Sequence, residues 1–101
     1  MSSSPVPVLC LYTLRAGADA EFLRLLDRHW PTLHASGLAS DTPARVRRSK
    51  TRAGDTVIVE EFEWKDERSS GAAHQTPAVM AVWEPLGALC TDMKFFHLEP
   101  V

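Results

Sequence analysis

Two runs with strand-like alternation, Ala44–Thr51 and Thr56–Trp64, are separated only by Arg52-Ala53-Gly54-Asp55. A connector of that length and composition joins antiparallel neighbours, so the middle of the chain reads as a β-hairpin. The hairpin constrains everything around it. Ahead of it lie one nearly continuous apolar run, Val6–Leu14, and one long helical pattern; behind it lie a second helical region and a last strand-like run, Thr91–Leu98. The resulting order, βαββαβ, is the split βαβ arrangement of ferredoxin-like domains. Right-handed crossovers there place both helices on one face of a four-stranded antiparallel sheet.

The helical patterns can be read more closely. From about Asp19 to Ser36, Phe22, Leu25, Leu26, His29 and Leu33 recur at helical spacing, with Glu21, Arg24, Asp27 and Arg28 on the other side. Pro31 is expected to kink or divide this helix, and Gly37 suits the position just past its end. The second region starts near Asp66, a plausible cap, and restarts at Thr76-Pro77, where Thr caps and Pro takes the first helical position. Val79, Met80, Trp83 and Leu86 form its apolar stripe, and Gly87 marks its end. Val6–Leu14 and Thr91–Leu98 are apolar on both faces, so the first reads as a central strand buried on both sides. The sheet face without helices would then expose a large hydrophobic area, and a second copy of the chain is the simplest cover.

Composition bounds the rest. With 101 residues, 45% of them apolar and 24% charged, the chain has room for one modest core: a disordered serine-rich lead over residues 1–5 and a single domain over residues 6–101. A net charge of −2 and a pI near 6.0 give no electrostatic footprint for nucleic acid or an anionic membrane surface. The sequence MSSSPVP lacks the basic start of a signal peptide, and no stretch is long enough to span a bilayer. Cys10 and Cys90, far apart and outside any CxxC spacing, suit free thiols in a reducing cytoplasm, which is the expected location.

Within Glu60–Pro77 a glutamate-rich strand (Glu61 or Glu63) closes in Trp64, Asp66 follows, His74 lies beyond a short helix, and Thr76-Pro77 opens the next one. This segment resembles the corresponding part of the antibiotic-biosynthesis-monooxygenase-like family. The resemblance implies a homodimer in which two sheets face each other as a dimeric α/β barrel, with a pocket in each subunit between sheet and helices. Several members oxidise or cyclise small aromatic or polyketide-like molecules without a metal or flavin, while others degrade haem. The haem-degrading members' first-strand Asn, second-helix Trp and axial His fall at or near Cys10, Ala73 and Trp83 here, so that triad is missing. The histidines of polyketide-cyclase relatives are replaced by Ala78-Val79 and Leu9-Cys10. No cofactor is therefore expected.

Individual side chains leave alternatives open. His74 can serve as a general base or orient a bound phenol or ketone, or it can pack against the sheet with one nitrogen satisfied by the backbone. Tyr12, Trp30, Trp64 and Trp83 suit a flat apolar ligand, but they are equally good core residues. Arg47, in the basic strand Arg45–Lys50, can grip an anion; it also falls opposite Glu60 within about one residue, where cross-strand ion pairs absorb its charge. His29 and His34 lie on different helix faces without a completing carboxylate, so no metal site is expected. Two functions follow: a cofactor-independent monooxygenase-like enzyme acting on a small aromatic or quinone-type molecule, or a non-catalytic dimeric barrel that binds a small apolar metabolite.

Overall fold

The structure, a computed structural model, describes residues 4–101, so most of the serine-rich lead lies outside the described residues. The elements are β1 (Val6–Leu14), α1 (Asp19–Leu26), α2 (His29–Ala35), β2 (Arg45–Lys50), β3 (Thr56–Trp64), α3 (Ser69–Ala73), α4 (Pro77–Ala88) and β4 (Cys90–His97). The strands form one antiparallel sheet in the order β2-β3-β1-β4, with the helices on one face, which is the ferredoxin-like architecture. Gly54, at φ +93°, makes the hairpin turn, and its N–H is held by the Thr51 carbonyl.

Register decides which side chains meet the helices. Cys10 pairs with both Glu60 and Phe95, so these three share a face. Because successive residues alternate, Val8, Cys10, Tyr12 and Leu14 point to the helices together with Ile58, Glu60, Phe62 and Trp64, and all eight are buried. Leu9, Leu11, Val57 and Val59 take the other face and are half-buried. Thus β1 is central as expected but is sealed on one side only. The last strand is exposed from Thr91 to His97, with Phe95 56% and Phe96 46% accessible. The single helical layer roofs β1 and β3 and leaves the edge strands β2 and β4 largely exposed.

The long first helical pattern is divided ahead of Pro31, at Asp27-Arg28. Pro31 is therefore the third residue of α2, where a backbone N–H would have no partner inside the helix in any case. The end of α2 is a Schellman turn. Gly37, at φ +74°, gives its N–H to His34, and Leu38 gives its own to Leu33 at 2.9 Å, and both leucines are buried. The chain then runs as a short bridge beside β3: Ala39 pairs with Trp64, and Lys65 donates to the Leu38 carbonyl.

The caps expected at Asp66 and Thr76 differ in detail. Asp66 Oδ1 accepts from the Arg68 N–H and the Ser69 hydroxyl, tying down the loop just ahead of α3, and those bonds hold its carboxyl below the usual range. Thr76 is the extended residue before α4, but its hydroxyl donates backwards to the Ala72 carbonyl at 2.9 Å rather than accepting from the helix. The α4 stripe that reaches the core is Val79, Val82 and Leu86, leaving Trp83 half-buried at its edge.

Candidate functional site

A cavity of about 290 Å³ lies between the sheet and the helices, toward the uncovered β4 edge. Its floor is Val8, Cys10, Tyr12, Phe62 and Trp64 from the central strands. Its roof comes from His29 on α2, Ser70 on α3, and Trp83 and Leu86 on α4, with His74 beside Ser70. Met93, Phe95 and His97 of β4 close the remaining side. His29, near the start of α2, lies on the inner face in step with Phe22 and Leu26 of α1, and its ring meets Phe62 edge-on at 5.5 Å.

A chain of hydrogen bonds runs through this wall. The Tyr12 hydroxyl donates to Glu60 Oε1 at 2.8 Å, and His29 Nδ1 lies 3.0 and 2.9 Å from the two Glu60 oxygens. On its other side, His29 Nε2 is 2.8 Å from the indole nitrogen of Trp83. An indole N–H can only donate, so His29 Nε2 accepts and its proton sits on Nδ1, facing the carboxylate. Glu60 is 1% exposed and His29 3% exposed, so this is a buried polar network with each member bonded. The network and the dry surroundings act on their neighbours. Burial above all, with the nearby Glu60 charge, pushes the Cys10 thiol up to about 12 and the Tyr12 phenol well above its ordinary value.

The residues singled out in the sequence divide into two groups. Tyr12, Trp64, Trp83 and His74 all line the cavity, and the His74 ring stands edge-on to Trp83 with centroids 4.9 Å apart. His74 is exposed, at the mouth. Trp30 is not in the wall; it stacks on His34 at 4.7 Å. Arg47 is on the opposite face of the sheet, opposite Val59 rather than Glu60, and reaches Glu61 at 3.2 Å. The difference of one residue matters, because it puts Glu60 on the inner face and leaves Glu61 as the partner. Sequence reasoning missed the inward role of Glu60, and it took His29 as one member of an apolar stripe. Both carried a signal: each is a polar residue at an inward position of its element. The indole N–H of Trp64 is buried without a partner among the described residues.

Among the described residues no group of three or more His, Cys, Asp and Glu side chains could hold a metal ion, and Cys10 and Cys90 are free thiols. No helix among them is long and apolar enough to cross a membrane.

No family model and no curated protein matches the sequence. Solved structures do. SnoaB from Streptomyces nogalater, a cofactor-independent oxygenase, aligns over 98% of this chain and 97% of its own, with a TM-score of 0.71 and 21% identity. PA3566 from Pseudomonas aeruginosa aligns over 100% and 98%, with a TM-score of 0.73 and 15% identity. Another solved structure, that of an antibiotic biosynthesis monooxygenase, aligns over 95% of this chain and 98% of its own at a TM-score of 0.71 and 13% identity. In fold, the chain is similar along nearly its whole length to the antibiotic-biosynthesis-monooxygenase-like proteins.

Proposed function

We propose that this chain is a cofactor-independent oxygenase of small aromatic molecules of the quinol or naphthol type, working as a homodimer. The observation that carries the proposal is the cavity: aromatic side chains surround a space of about 290 Å³, suited to a small planar molecule, and a buried acid–base chain ends in its wall. Removing the phenolic proton makes the ring electron-rich enough to reduce O₂ without a cofactor. In the overall change the phenol loses its O–H and one ring C–H hydrogen. One atom of O₂ becomes the new ring carbonyl and the other leaves with both hydrogens as water, the ring supplying all four electrons. At the mouth, the exposed imidazole of His74 is placed to orient the ligand's polar edge. The fold shared with SnoaB supports the reading at the level of architecture.

The dimer would form through the open sheet face, where Leu9, Leu11, Val59 and Phe96 lie in neighbouring register positions. A second reading is favoured by one observation. His29, Glu60 and Trp83 satisfy one another, as groups in a packed core do, so the chain could bind an apolar metabolite without transforming it. Oxygen uptake separates the two. Naphthols or quinols that consume O₂ stoichiometrically, with one labelled oxygen atom entering the product, support the oxygenase; saturable quenching of tryptophan fluorescence with no O₂ uptake across such a panel supports the binder.

A further inference from the structure

We propose that His29 is the proton acceptor of this cavity, positioned by Glu60 and Tyr12, and that the Trp83 indole N–H occupies the place taken by the ligand's hydroxyl. The inference rests on the phenolic reading of the cavity and assigns its central step. His29 Nε2 carries a lone pair, since it accepts from Trp83 at 2.8 Å, and its Nδ1–H points at Glu60. A phenol donating to Nε2 therefore meets a base already backed by a carboxylate. When the proton crosses, the phenolic O–H bond breaks, an Nε2–H bond forms, and the resulting imidazolium keeps its Nδ1–H on Glu60. No group has to turn, and no electron leaves the pair of reactants.

Tyr12 holds the other end of the carboxylate through its 2.8 Å bond to Oε1, which keeps Glu60 from rotating away from the imidazole. Of the four linked residues, Tyr12, His29 and Glu60 are at most 3% exposed, whereas Trp83 is half-buried and so is the member with room to withdraw. The exchange replaces one donor at Nε2 by another, so a nitrogen that would be left unsatisfied in the empty cavity stays bonded in both states. His74, exposed at the mouth, has no carboxylate bonded behind its ring among the described residues.

The test uses 2-naphthol, whose ionised form has its own absorbance, under anaerobic conditions, with binding measured separately by equilibrium dialysis. The wild-type protein should bind naphthol and show the naphtholate band. Trp83→Phe, which removes the competing N–H while keeping a ring, should bind several-fold tighter. His29→Gln should bind naphthol more weakly and show no naphtholate band even when saturated, and Glu60→Gln should weaken the band several-fold. A band that survives in His29→Gln and vanishes in His74→Ala overturns the assignment while leaving the oxygenase reading in place. A wild-type protein that binds no naphthol at any soluble concentration overturns both. Should His29→Gln fail to fold, histidine ring-nitrogen NMR of the wild-type protein decides the matter. The His29 Nε2 signal should shift to that of a protonated nitrogen on naphthol addition; an unmoved His29 signal refutes the inference.

Discussion

Replacing Glu60 by Gln is the most direct probe of the buried network, because it changes hydrogen-bond polarity at almost constant volume. The carboxylate accepts from two sides, taking the Tyr12 hydroxyl on Oε1 and the His29 N–H across both oxygens at 3.0 and 2.9 Å. A glutamine amide can keep its oxygen at one of those positions, but its NH₂ then faces the donor at the other. One buried donor is left unmatched, at a cost of about 1–3 kcal/mol. His29 cannot relieve the clash by moving its proton to Nε2, because that nitrogen faces the Trp83 N–H at 2.8 Å. Taking about 2 kcal/mol, and roughly 4–8 °C of melting temperature per kcal/mol for a domain of this size, Glu60→Gln should lower Tm by roughly 8–16 °C in a neutral-pH melt followed by circular dichroism. Tyr12→Phe should lower it less, and the double variant should lose less than the two single losses added together, since both remove the same bond. A Tm for Glu60→Gln within about a degree of wild type would refute the polarity argued here. It would mean that the residue at this position already presents one donor and one acceptor.

Other consequences can be measured on the same protein. Leu9→Glu puts charge on the open sheet face and should shift the mass seen by light scattering toward a monomer of 11.2 kDa while leaving the fold intact; Cys10→Asp, one residue on, faces the helices and should unfold the domain instead. Cys10 is raised from 9.0 to about 12 in the folded protein, so the unfolded chain releases that proton first. Its contribution to stability is complete below about 9 and lost as pH rises toward about 12, and alkaline melts should show this decline while Cys10→Ser flattens it. Arg47→Ala removes only an exposed pair with Glu61, 67% and 40% accessible, and should change stability by less than about 1 kcal/mol and leave naphthol binding unchanged.

The fold was legible in the sequence because its signals are local. The hairpin connector, Gly37 past a helix end and Thr76-Pro77 at a helix start each depend on a few neighbouring residues, and β1 and β3 run over the expected spans, Val6–Leu14 and Thr56–Trp64. What no local pattern encodes is the width of the roof. Apolar residues on both faces of Thr91–Leu98 look the same whether helices cover that strand or leave it at an edge, and here they leave it exposed. The division of the first helix was legible, but its place was not: a proline can sit in a first turn without penalty, so Pro31 marks the start of α2 rather than a break within it.

The site was less legible because its bonds join residues far apart in sequence: Tyr12 to Glu60, His29 to Glu60 and Trp83 to His29. No spacing rule encodes such a set, yet parity does contain part of it. Counting by twos along β3 from Ile58 gives Glu60, Phe62 and Trp64, a charge among apolar residues on what must be the inner face. Counting by helical spacing from Phe22 and Leu26 brings His29 to the inner face as well. A buried carboxylate must find donors, and in a βαββαβ sheet the helix crossing above the two central strands is where they can come from. Two inward polar residues on elements that pack together therefore imply each other, and the cross-strand pairing of Arg47 with Glu60 conceals the pair, since it assigns to the surface the one glutamate whose position in the alternation points inward. The same reasoning identifies Tyr12, inward on β1, as the nearest hydroxyl able to complete the set. The Trp83 bond is different in kind: it depends on the rotation of α4 about its axis, which brings Val82 into the core and leaves Trp83 at the cavity's edge, and that rotation is settled by packing rather than by any residue pattern.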